Sequence, residues 1–383
     1  MDEKLTILVV DDEPFNVDYL VQELEDFGVN TITAADGLEA LDQVSAHSPD
    51  LVLLDIMMPR MDGFDVLAKL KSNEDQRNIP VIIISANTDM KNVLKGIELG
   101  AEDYLPKPFD PLLLKARVNA SLEKKRFRNL EQKYLESLER ELHIGRDIQS
   151  DFLPEKLPSI DGWDFEVFFR AAKEVSGDFY DIIELVEGKF AFIVGDVTDK
   201  GVGAALYMAL YRSLIRAYIL EKDASEISSK IKLEHAIKET NKYICANHAE
   251  PHFLTVFAGV IDPQSGRLDY ISAGHDHPFM VDAKRALTEI KPTGPLIGMT
   301  EDADFKVDSI QFEKNAMLFL YTDGVLDLIN ENEERFGESR LKEAVMEKKA
   351  PGKLISYLVD QLERFSGQTS QFDDLTMLAI QRK

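Results

Sequence analysis

Three short apolar runs near the start of the chain constrain its fold more than any other feature. The runs LTILVV, DLVLLD and VIIIS are rich in β-branched residues, and they alternate with amphipathic stretches of helical periodicity up to about residue 108. Parallel strands that are buried on both faces have such continuous apolar runs, and helices connect them. The sequence therefore predicts a doubly wound α/β domain with a five-stranded parallel sheet.

Acidic and other polar residues stand where these predicted strands end. Asp11 and Asp12 follow the first strand, Asp55 ends the third, Ser85 ends the fourth, and Lys107 follows the fifth. In an open parallel sheet these carboxyl ends share one edge, where the functional crevice lies. Three carboxylates in one place repel one another unless a hard cation such as Mg²⁺ lies among them. We predict a magnesium site at which Asp55 attacks a phosphoryl group, whose oxygens the hydroxyl and ammonium groups receive.

The motifs VVDDE, LLDIMMPRMDG, ISA and LPKPF make residues 5–120 resemble the receiver domain of bacterial response regulators. The resemblance implies that Mg²⁺ is held by three carboxylates and one main-chain carbonyl: Asp11, Asp12, Asp55 and Met57. Two side chains would bind the phosphoryl oxygens: Ser85 and Lys107. Tyr104 would be an aromatic switch, and Pro108 would follow a cis peptide. The implied partner is a sensor histidine kinase or another phosphodonor.

A charged segment from Pro111 to about Phe152 separates this domain from the rest of the chain. Its apolar residues recur at helical spacings, and no glycine interrupts it before Gly145. We predict one long amphipathic helix, which Pro154 and Pro158 stop. About 30 helical residues span roughly 45 Å, which is enough to offer a seam for a homodimer. An inert spacer helix is the alternative.

The chain beyond residue 160 mixes apolar strand patterns with a few helices and is predicted to be α+β. Its strand candidates include FAFIVGDV, FLTVFAGVID, RLDYIS, AMLFLYTDG and LTMLAI. We expect three parts in the chain: a receiver domain in residues 1–120, a helical linker with coiled-coil character in 121–160, and this second domain in 161–383.

Aspartates recur beside glycine or at strand ends in SGDFYD, IVGDVTDKG, LYTDG and QFDDLT. Aspartate is a poor strand former, so the pattern indicates either turn chemistry or a cation cluster that glycine lets the backbone approach. If the aspartates converge, two divalent ions can share one bridging carboxylate and lower the pKa of a water aimed at phosphorus. Four residues form this predicted set: Asp178, Asp196, Asp323 and Asp373.

The order of these motifs, from about Glu141 onward, resembles the metal-dependent serine/threonine protein phosphatases, in particular the bacterial sporulation and general-stress branch. The motifs are RAAKEVSGDFYD, GDVTDKGVGAALYMA, SAGHDHPFM, LYTDGVLD and FDDLTMLAI. The resemblance implies an antiparallel β-sandwich flanked by helices and a site for two Mn²⁺ or Mg²⁺ ions. Asp196 would bridge the ions and the Val197 carbonyl would bind one of them. The other ligands would be the carboxylates of Asp178, Asp323 and Asp373, and Asp374 is a further candidate next to Asp373.

Two departures from the pattern of this branch are visible in its first motif. Ser176-Gly177 stands where a Gly-Gly pair is usual, and Ala171 stands where proline is common after Arg170. Neither departure removes a metal ligand. Arg170 itself is a candidate for binding the substrate phosphate, but an arginine at a strand end is as often part of a surface ion pair.

Composition restricts the partners of the chain. Its 44 Lys+Arg and 69 Asp+Glu give a net charge of -25, which opposes binding to nucleic acid or an anionic membrane. No apolar run approaches the roughly 20 residues that cross a bilayer, and the acidic start is unlike a signal peptide, so we expect a cytoplasmic protein. By the resemblance, the substrate is a serine-phosphorylated antagonist of an anti-sigma factor.

Two other functions compete with a regulated protein phosphatase. The second domain could be a catalytically silent adaptor, but all four predicted ligand positions remain acidic, which favours an enzyme. Hydrolysis of a small phosphorylated molecule or nucleotide is the other alternative. His275 and His277 stand on a turn beside Pro278, where a structural role is favoured because oxygen-rich sites select Mg²⁺ or Mn²⁺ over metals that prefer imidazole.

Overall fold

The computed structural model describes residues 4–85, 90–221, 228–247, 252–347 and 350–383, without the side chains of residues 85, 90 and 187. Two compact units follow one another along the chain, Met1–Leu138 and Glu139–Lys383. The three-part division expected from the sequence stays a prediction. None of the described helices combines the length and the apolar character needed to cross a membrane.

A parallel sheet forms the centre of the first unit. Its strands are β1 (Thr6–Val10), β2 (Asn30–Ala34), β3 (Leu51–Asp55), β4 (Val81–Ser85) and β5 (Asp103–Pro106). They lie in the order β2-β1-β3-β4-β5, and every neighbouring pair is parallel. The helices between them are α1 (Pro14–Glu25), α2 (Gly37–His47), α3 (Gly63–Ser72) and α4 (Met90–Glu98).

Both faces of this sheet are buried. In β1, Leu8 packs in a cluster on one face while Ile7 and Val9 pack in a second cluster on the other. Side chains alternate along a strand, so a strand that is covered on both sides must be apolar at every position. This explains the continuous apolar runs and confirms the predicted doubly wound α/β fold.

The predicted long helix is present as α5 (Pro111–Ser150). Proline is well suited to the first turn of a helix, where its missing N–H has no partner to lose. Part of the apolar stripe on α5 is exposed: Phe127, Leu130, Tyr134 and Leu135.

Two antiparallel sheets form the second unit. The first sheet has the order β13-β10-β9-β8-β7, with β7 (Asp178–Glu184), β8 (Phe190–Val197), β9 (Leu254–Asp262), β10 (Arg267–Ala273) and β13 (Asp308–Gln311). The second has the order β12-β11-β14-β15-β6, with β6 (Trp163–Arg170), β11 (Phe279–Val281), β12 (Leu287–Glu289), β14 (Met317–Tyr321) and β15 (Leu375–Arg382).

Three apolar clusters hold these sheets and their helices in four layers. Side chains from both sheets, such as Phe192 and Leu378, fill the space between the sheets. The outer face of the first sheet packs against α6 (Val202–Ile219) and α7 (Ser229–Asn247). The outer face of the second packs against α9 (Gly337–Glu347) and α10 (Pro351–Ser366), with the short α8 (Gly324–Asp327) after β14. The predicted antiparallel β-sandwich flanked by helices is confirmed.

Candidate functional site

Three carboxylates meet at the carboxyl edge of the parallel sheet. Asp11 and Asp12 follow β1, and Asp55 is the last residue of β3. One oxygen from each lies within 4.8 Å of the others. Asp11 and Asp55 are buried while Asp12 is exposed. The convergence expected from the strand ends is thus present, in a geometry that suits a hard cation with oxygen ligands.

Lys107 supplies a positive charge to this cluster. Its Nζ lies 2.6 Å from Asp11 Oδ2 and 3.0 Å from Asp55 Oδ2. Burial raises the pKa of Asp55, and the hydrogen bond from Lys107 opposes that shift. The peptide bond between Lys107 and Pro108 is cis, as the resemblance implied.

The other predicted receiver residues are less fully defined. Ser85 is the last residue of β4, paired in register with Pro106, but its side chain lies outside the described residues. Tyr104 lies in β5 and packs, half-buried, against one face of the sheet core. Met57 follows β3 by two residues, and its side chain is exposed. Their roles stay predictions.

Two residues of this site were not anticipated from the sequence. Asn16, in the first turn of α1, donates from Nδ2 to Asp11 Oδ1 over 3.0 Å, and the Glu13 N–H donates to the same oxygen. Gly63 begins α3 so close to β3 that a Cβ there would lie 2.2 Å from the Asp55 carbonyl oxygen. The glycine of the MDG motif is therefore required by backbone approach, a signal that the motif itself carried.

In the second unit, Asp178 and Asp196 face each other across neighbouring strands. They form a register pair between β7 and β8, so their side chains lie on the same face of the sheet. Asp178 Oδ2 accepts hydrogen bonds from Thr322 Oγ1 at 2.7 Å and from Thr376 Oγ1 at 2.5 Å. Thr376 lies in β15 of the second sheet and Thr322 directly follows β14, so the two threonines tie this buried carboxylate of the first sheet to the second.

Repulsion among carboxylates dominates the electrostatics of this region. Burial, followed by the charges of Asp323 and Asp373, raises the pKa of Asp196 to about 7. Burial and Asp196 also hold the pKa of Asp178 well above its ordinary value. Asp323 keeps more contact with solvent, and burial with the charge of Asp373 raises its pKa to about 6. A set of acids that resist ionisation together is one that cations would stabilise.

The spacing of this set differs from that of the first unit. Within the described parts of the chain, no three of these carboxylates come within 4.8 Å of one another as the receiver trio does. In sites for two ions, the ions lie about 3.5–4 Å apart. Carboxylate oxygens are the ligands that Mg²⁺ and Mn²⁺ prefer, so the residue types present fit such ions.

Asp373 and Asp374 differ sharply in their surroundings. Asp374 is buried, and its Oδ1 accepts the Ala172 N–H at 2.7 Å. Its Oδ2 accepts Ser176 Oγ at 2.6 Å and the Gly177 N–H at 2.9 Å. Asp373 instead points an oxygen at Lys200 Nζ, 2.8 Å away. The hydrogen bonds of Asp374 hold the loop before β7, whereas Asp373 has its oxygens on Lys200 and on the Asp374 N–H.

Replacing Asp374 with alanine is expected to destabilise the protein by about 3 kcal/mol or more, because two buried donors and one part-buried donor would lose their acceptor. Asp373→Ala removes a partly exposed ion pair and a part-buried hydrogen bond from the neighbouring Asp374 N–H, and should cost about 1 kcal/mol. Urea unfolding of both variants in a metal chelator measures the difference. Equal losses would show that Asp374 has no special structural role.

The loop before β7 also approaches the predicted backbone ligand. A Cβ on Gly177 would lie 2.8 Å from the Val197 carbonyl oxygen, so glycine is needed at this position. Ser176 is held from the other side by Gln149 at the end of α5. Gln149 Nε2 donates to the Ser176 carbonyl at 2.7 Å, and Gln149 Oε1 accepts the Ser176 N–H at 2.8 Å. These two buried hydrogen bonds, which the sequence did not indicate, join α5 to the loop that leads into Asp178.

The histidines and Arg170 have structural surroundings. His275 is buried beside Thr255 Oγ1, 3.1 Å from its Nδ1, and burial lowers its pKa to about 3. His277 Nδ1 lies 3.7 Å from a carboxylate oxygen of Glu289. Arg170 donates to the side chain of Gln371 at 2.7 Å and pairs with Glu363 at 3.1 Å. These contacts favour the structural interpretation of all three.

Several known proteins resemble this chain. Protein IcfG of Synechocystis sp. is 37% identical over 262 residues, which cover 63% of this chain and 41% of IcfG. The alkaline phosphatase synthesis transcriptional regulatory protein PhoP of Bacillus subtilis is 42% identical over 116 residues, covering 30% of this chain and 48% of PhoP. The chain thus spans less than half the length of either relative.

The SiaA-PP2C domain of Pseudomonas aeruginosa has a similar fold. It superposes with a TM-score of 0.57 and 20% sequence identity, covering 65% of this chain and 99% of that domain. The family model of the response regulator receiver domain matches residues 7–119. The model of stage II sporulation protein E (SpoIIE) matches residues 186–383, just over half of the chain. The chain therefore belongs to the stage II sporulation protein E family and joins a phosphatase-family domain to a response regulator receiver domain.

Proposed function

We propose that this protein is a response regulator whose second domain hydrolyses phosphoserine or phosphothreonine on a protein. The observation that carries the proposal is the set of four aspartates at adjoining ends of the two sheets, where burial and mutual repulsion raise the pKa of Asp178, Asp196 and Asp323. Burying carboxylates that repel one another is costly, and it makes physical sense where cations and a phosphate group meet.

Two divalent cations, Mn²⁺ or Mg²⁺, would be held by this set. Asp196 is the proposed bridge, because it interacts electrostatically with Asp178, Asp323 and Asp373. The Val197 carbonyl is the proposed backbone ligand. The remaining ligands would be Asp178, Asp323 and Asp373. The ions would supply Lewis acidity, which lowers the pKa of water and offsets the charge of the phosphate. Thr322 and Thr376 would orient Asp178 by donating to its Oδ2.

The receiver domain would take a phosphoryl group from a sensor histidine kinase or another phosphodonor. Asp55 is the proposed nucleophile, and Asp11, Asp12 and the Met57 carbonyl would complete a Mg²⁺ site with it. Lys107 already contacts Asp55 and would bind a phosphoryl oxygen, with Ser85 as its counterpart. Tyr104 is the proposed aromatic switch.

Helix α5 is the proposed route by which the receiver controls the phosphatase. Phosphorylation would change the packing of α5 or its pairing in a homodimer, for which Phe127, Leu130 and Tyr134 offer an exposed apolar stripe. Gln149 would pass this change to Ser176 through its two hydrogen bonds, next to the ligand Asp178. The proposed substrate is a phosphorylated antagonist of an anti-sigma factor. The protein is proposed to act in the cytoplasm.

Hydrolysis assays with Mn²⁺ on a phosphoserine peptide and on a nucleoside monophosphate test the class of substrate. We expect release of phosphate from the peptide and little from the nucleotide. Preference for the nucleotide would point to a small-molecule phosphatase, and binding of a phosphoprotein without hydrolysis would point to an adaptor.

The same peptide assay with and without a phosphoryl analogue on the receiver tests control by phosphorylation. Oligomeric mass is measured in parallel on the full chain. A change in rate or in mass supports the route through α5, while no change in either would reduce α5 to a spacer.

A further inference from the structure

One lysine contacts the proposed metal site, and the mechanism proposed above gives it no function. Lys200, in the loop between β8 and α6, places its Nζ 2.8 Å from Asp373 Oδ2. The same Nζ is 2.8 Å from the Phe372 carbonyl oxygen and 3.5 Å from the centroid of the Phe372 ring. The Lys200 side chain is 27% exposed, so the charge is drawn into the site while remaining within reach of solvent.

The turn that carries Asp373 does not need Lys200 to hold its shape. Gln371 Nε2 donates to the carbonyls of Arg170 and Asp373, at 2.9 and 2.7 Å. The Asp374 N–H donates to Asp373 Oδ1 at 3.0 Å, and the buried Asp374 side chain anchors the turn to the loop before β7. Lys200 therefore adds charge to the site more than it adds structure.

Arg170, the cation that the sequence suggested for the phosphate, is committed to other partners. Its Nε bonds to Gln371 and its Nη1 to Glu363. Lys200 instead contacts Asp373, one of the carboxylates proposed to hold the two ions. Two divalent ions would balance the negative charges of the four carboxylates and leave no positive charge over. A phosphate monoester would then add up to two further negative charges. An ammonium group beside the ions would offset part of that excess.

We propose that Lys200 binds a phosphoryl oxygen of the substrate and of the inorganic phosphate product. A divalent ion on Asp373 would weaken the pairing of that carboxylate with Lys200, because two cations on one carboxylate repel each other. The ammonium group, on a flexible four-carbon stem, would then exchange Asp373 for the phosphate. This inference rests on the proposed function and adds the residue that recognises the phosphate dianion.

Calorimetric titration of inorganic phosphate into the Mg²⁺-loaded full-length protein tests the proposal. Lys200→Met should weaken phosphate binding about tenfold, which is the loss of one charge-assisted hydrogen bond. Lys200→Arg should stay within about threefold of the original protein, since it keeps the charge. Arg170→Met is the matched control, because it removes a cation that lies at the end of β6 and bonds to Gln371 of the Asp373 turn, and it should leave phosphate binding unchanged.

Titration of Mg²⁺ alone separates a phosphate ligand from a residue that only organises the metal site. Lys200→Met should bind Mg²⁺ as tightly as the original protein or more tightly, because a competing cation is gone. Weaker Mg²⁺ binding in Lys200→Met and in Lys200→Gln would overturn the proposal, as would unchanged phosphate binding. Failure of the original protein to bind phosphate at all would instead refute the proposed function along with it.

Discussion

Replacing Asp196 with asparagine is expected to lower kcat/KM for a phosphoserine peptide by about a thousandfold or more. Loss of a residue that merely orients a metal ligand costs about 10–100-fold, and a bridging ligand serves both ions at once. Asparagine keeps the size of the side chain while removing the negative charge. Peptide hydrolysis at saturating Mn²⁺ measures the loss, so weaker metal affinity alone cannot account for it.

The same substitution should stabilise the protein when no metal is available. The pKa of Asp196 is raised to about 7, mainly by burial and then by Asp323 and Asp373, whereas an aspartate in the unfolded chain titrates near its ordinary value of about 3.9. The folded state therefore resists ionisation, and the free energy of unfolding falls as pH rises from about 4 to 7. Asparagine does not ionise, so Asp196→Asn removes this penalty.

Thermal unfolding in a metal chelator measures that effect. At pH 8 the Asp196→Asn variant should unfold at a higher temperature than the original protein. The difference of about three units between the two pKa values corresponds to at most about 4 kcal/mol in unfolding free energy. Near pH 4 the two proteins should be alike. With Mn²⁺ present the original protein should unfold at the higher temperature, because the ions stabilise only the protein whose ligands are complete.

Asp164→Asn provides the control, since Asp164 lies on β6 of the same unit and pairs with Lys383 at the surface. It should change neither the hydrolysis rate nor the dependence of stability on pH. Hydrolysis by Asp196→Asn at the rate of the original protein would contradict the two-ion mechanism, whatever the outcome of the stability measurements.

The sequence predicted those parts of the two sites that depend on strand ends. Asp11, Asp55, Asp178 and Asp196 stand at or beside the ends of apolar strands, and the alternation of side chains makes their position follow from the pattern. The convergence at the receiver edge needed one further rule, that parallel strands point their carboxyl ends the same way.

The partners of these carboxylates could not be predicted in the same way. Thr376 reaches Asp178 across 198 positions of sequence, and Gln149 bonds to Ser176 from the end of a helix. Such hydrogen bonds depend on how two sheets and a helix pack, and no local periodicity encodes them. The doublet Asp373-Asp374 is symmetrical as a motif, and only the three donors around Asp374 distinguish the two residues.

In the receiver, Asp55→Asn is expected to abolish uptake of a phosphoryl group. An amide is a far weaker nucleophile than a carboxylate, and no neighbouring carboxylate has the same contacts. Asp55 alone combines burial at the end of β3, a hydrogen bond from the Ile56 N–H at 2.8 Å, and Lys107 at 3.0 Å. Mass spectrometry after incubation with acetyl phosphate and Mg²⁺ would detect the modified protein.

Asp65→Asn is the matched control, because Asp65 is an exposed aspartate in the first turn of α3, ten positions away in the same unit. It should accept the phosphoryl group as the original protein does. Retained phosphorylation of Asp55→Asn would move the nucleophile to Asp11 or Asp12 and contradict our assignment.

The Asp55→Asn variant also separates the chemistry of the second domain from its control. The four phosphatase aspartates lie in the other compact unit, so the variant should hydrolyse a phosphopeptide at the rate of the unphosphorylated protein. Adding acetyl phosphate should change the rate of the original protein and leave that of Asp55→Asn unaltered. If both proteins respond equally, the donor acts elsewhere, and the proposed route from Asp55 through α5 to Gln149 would have to be abandoned.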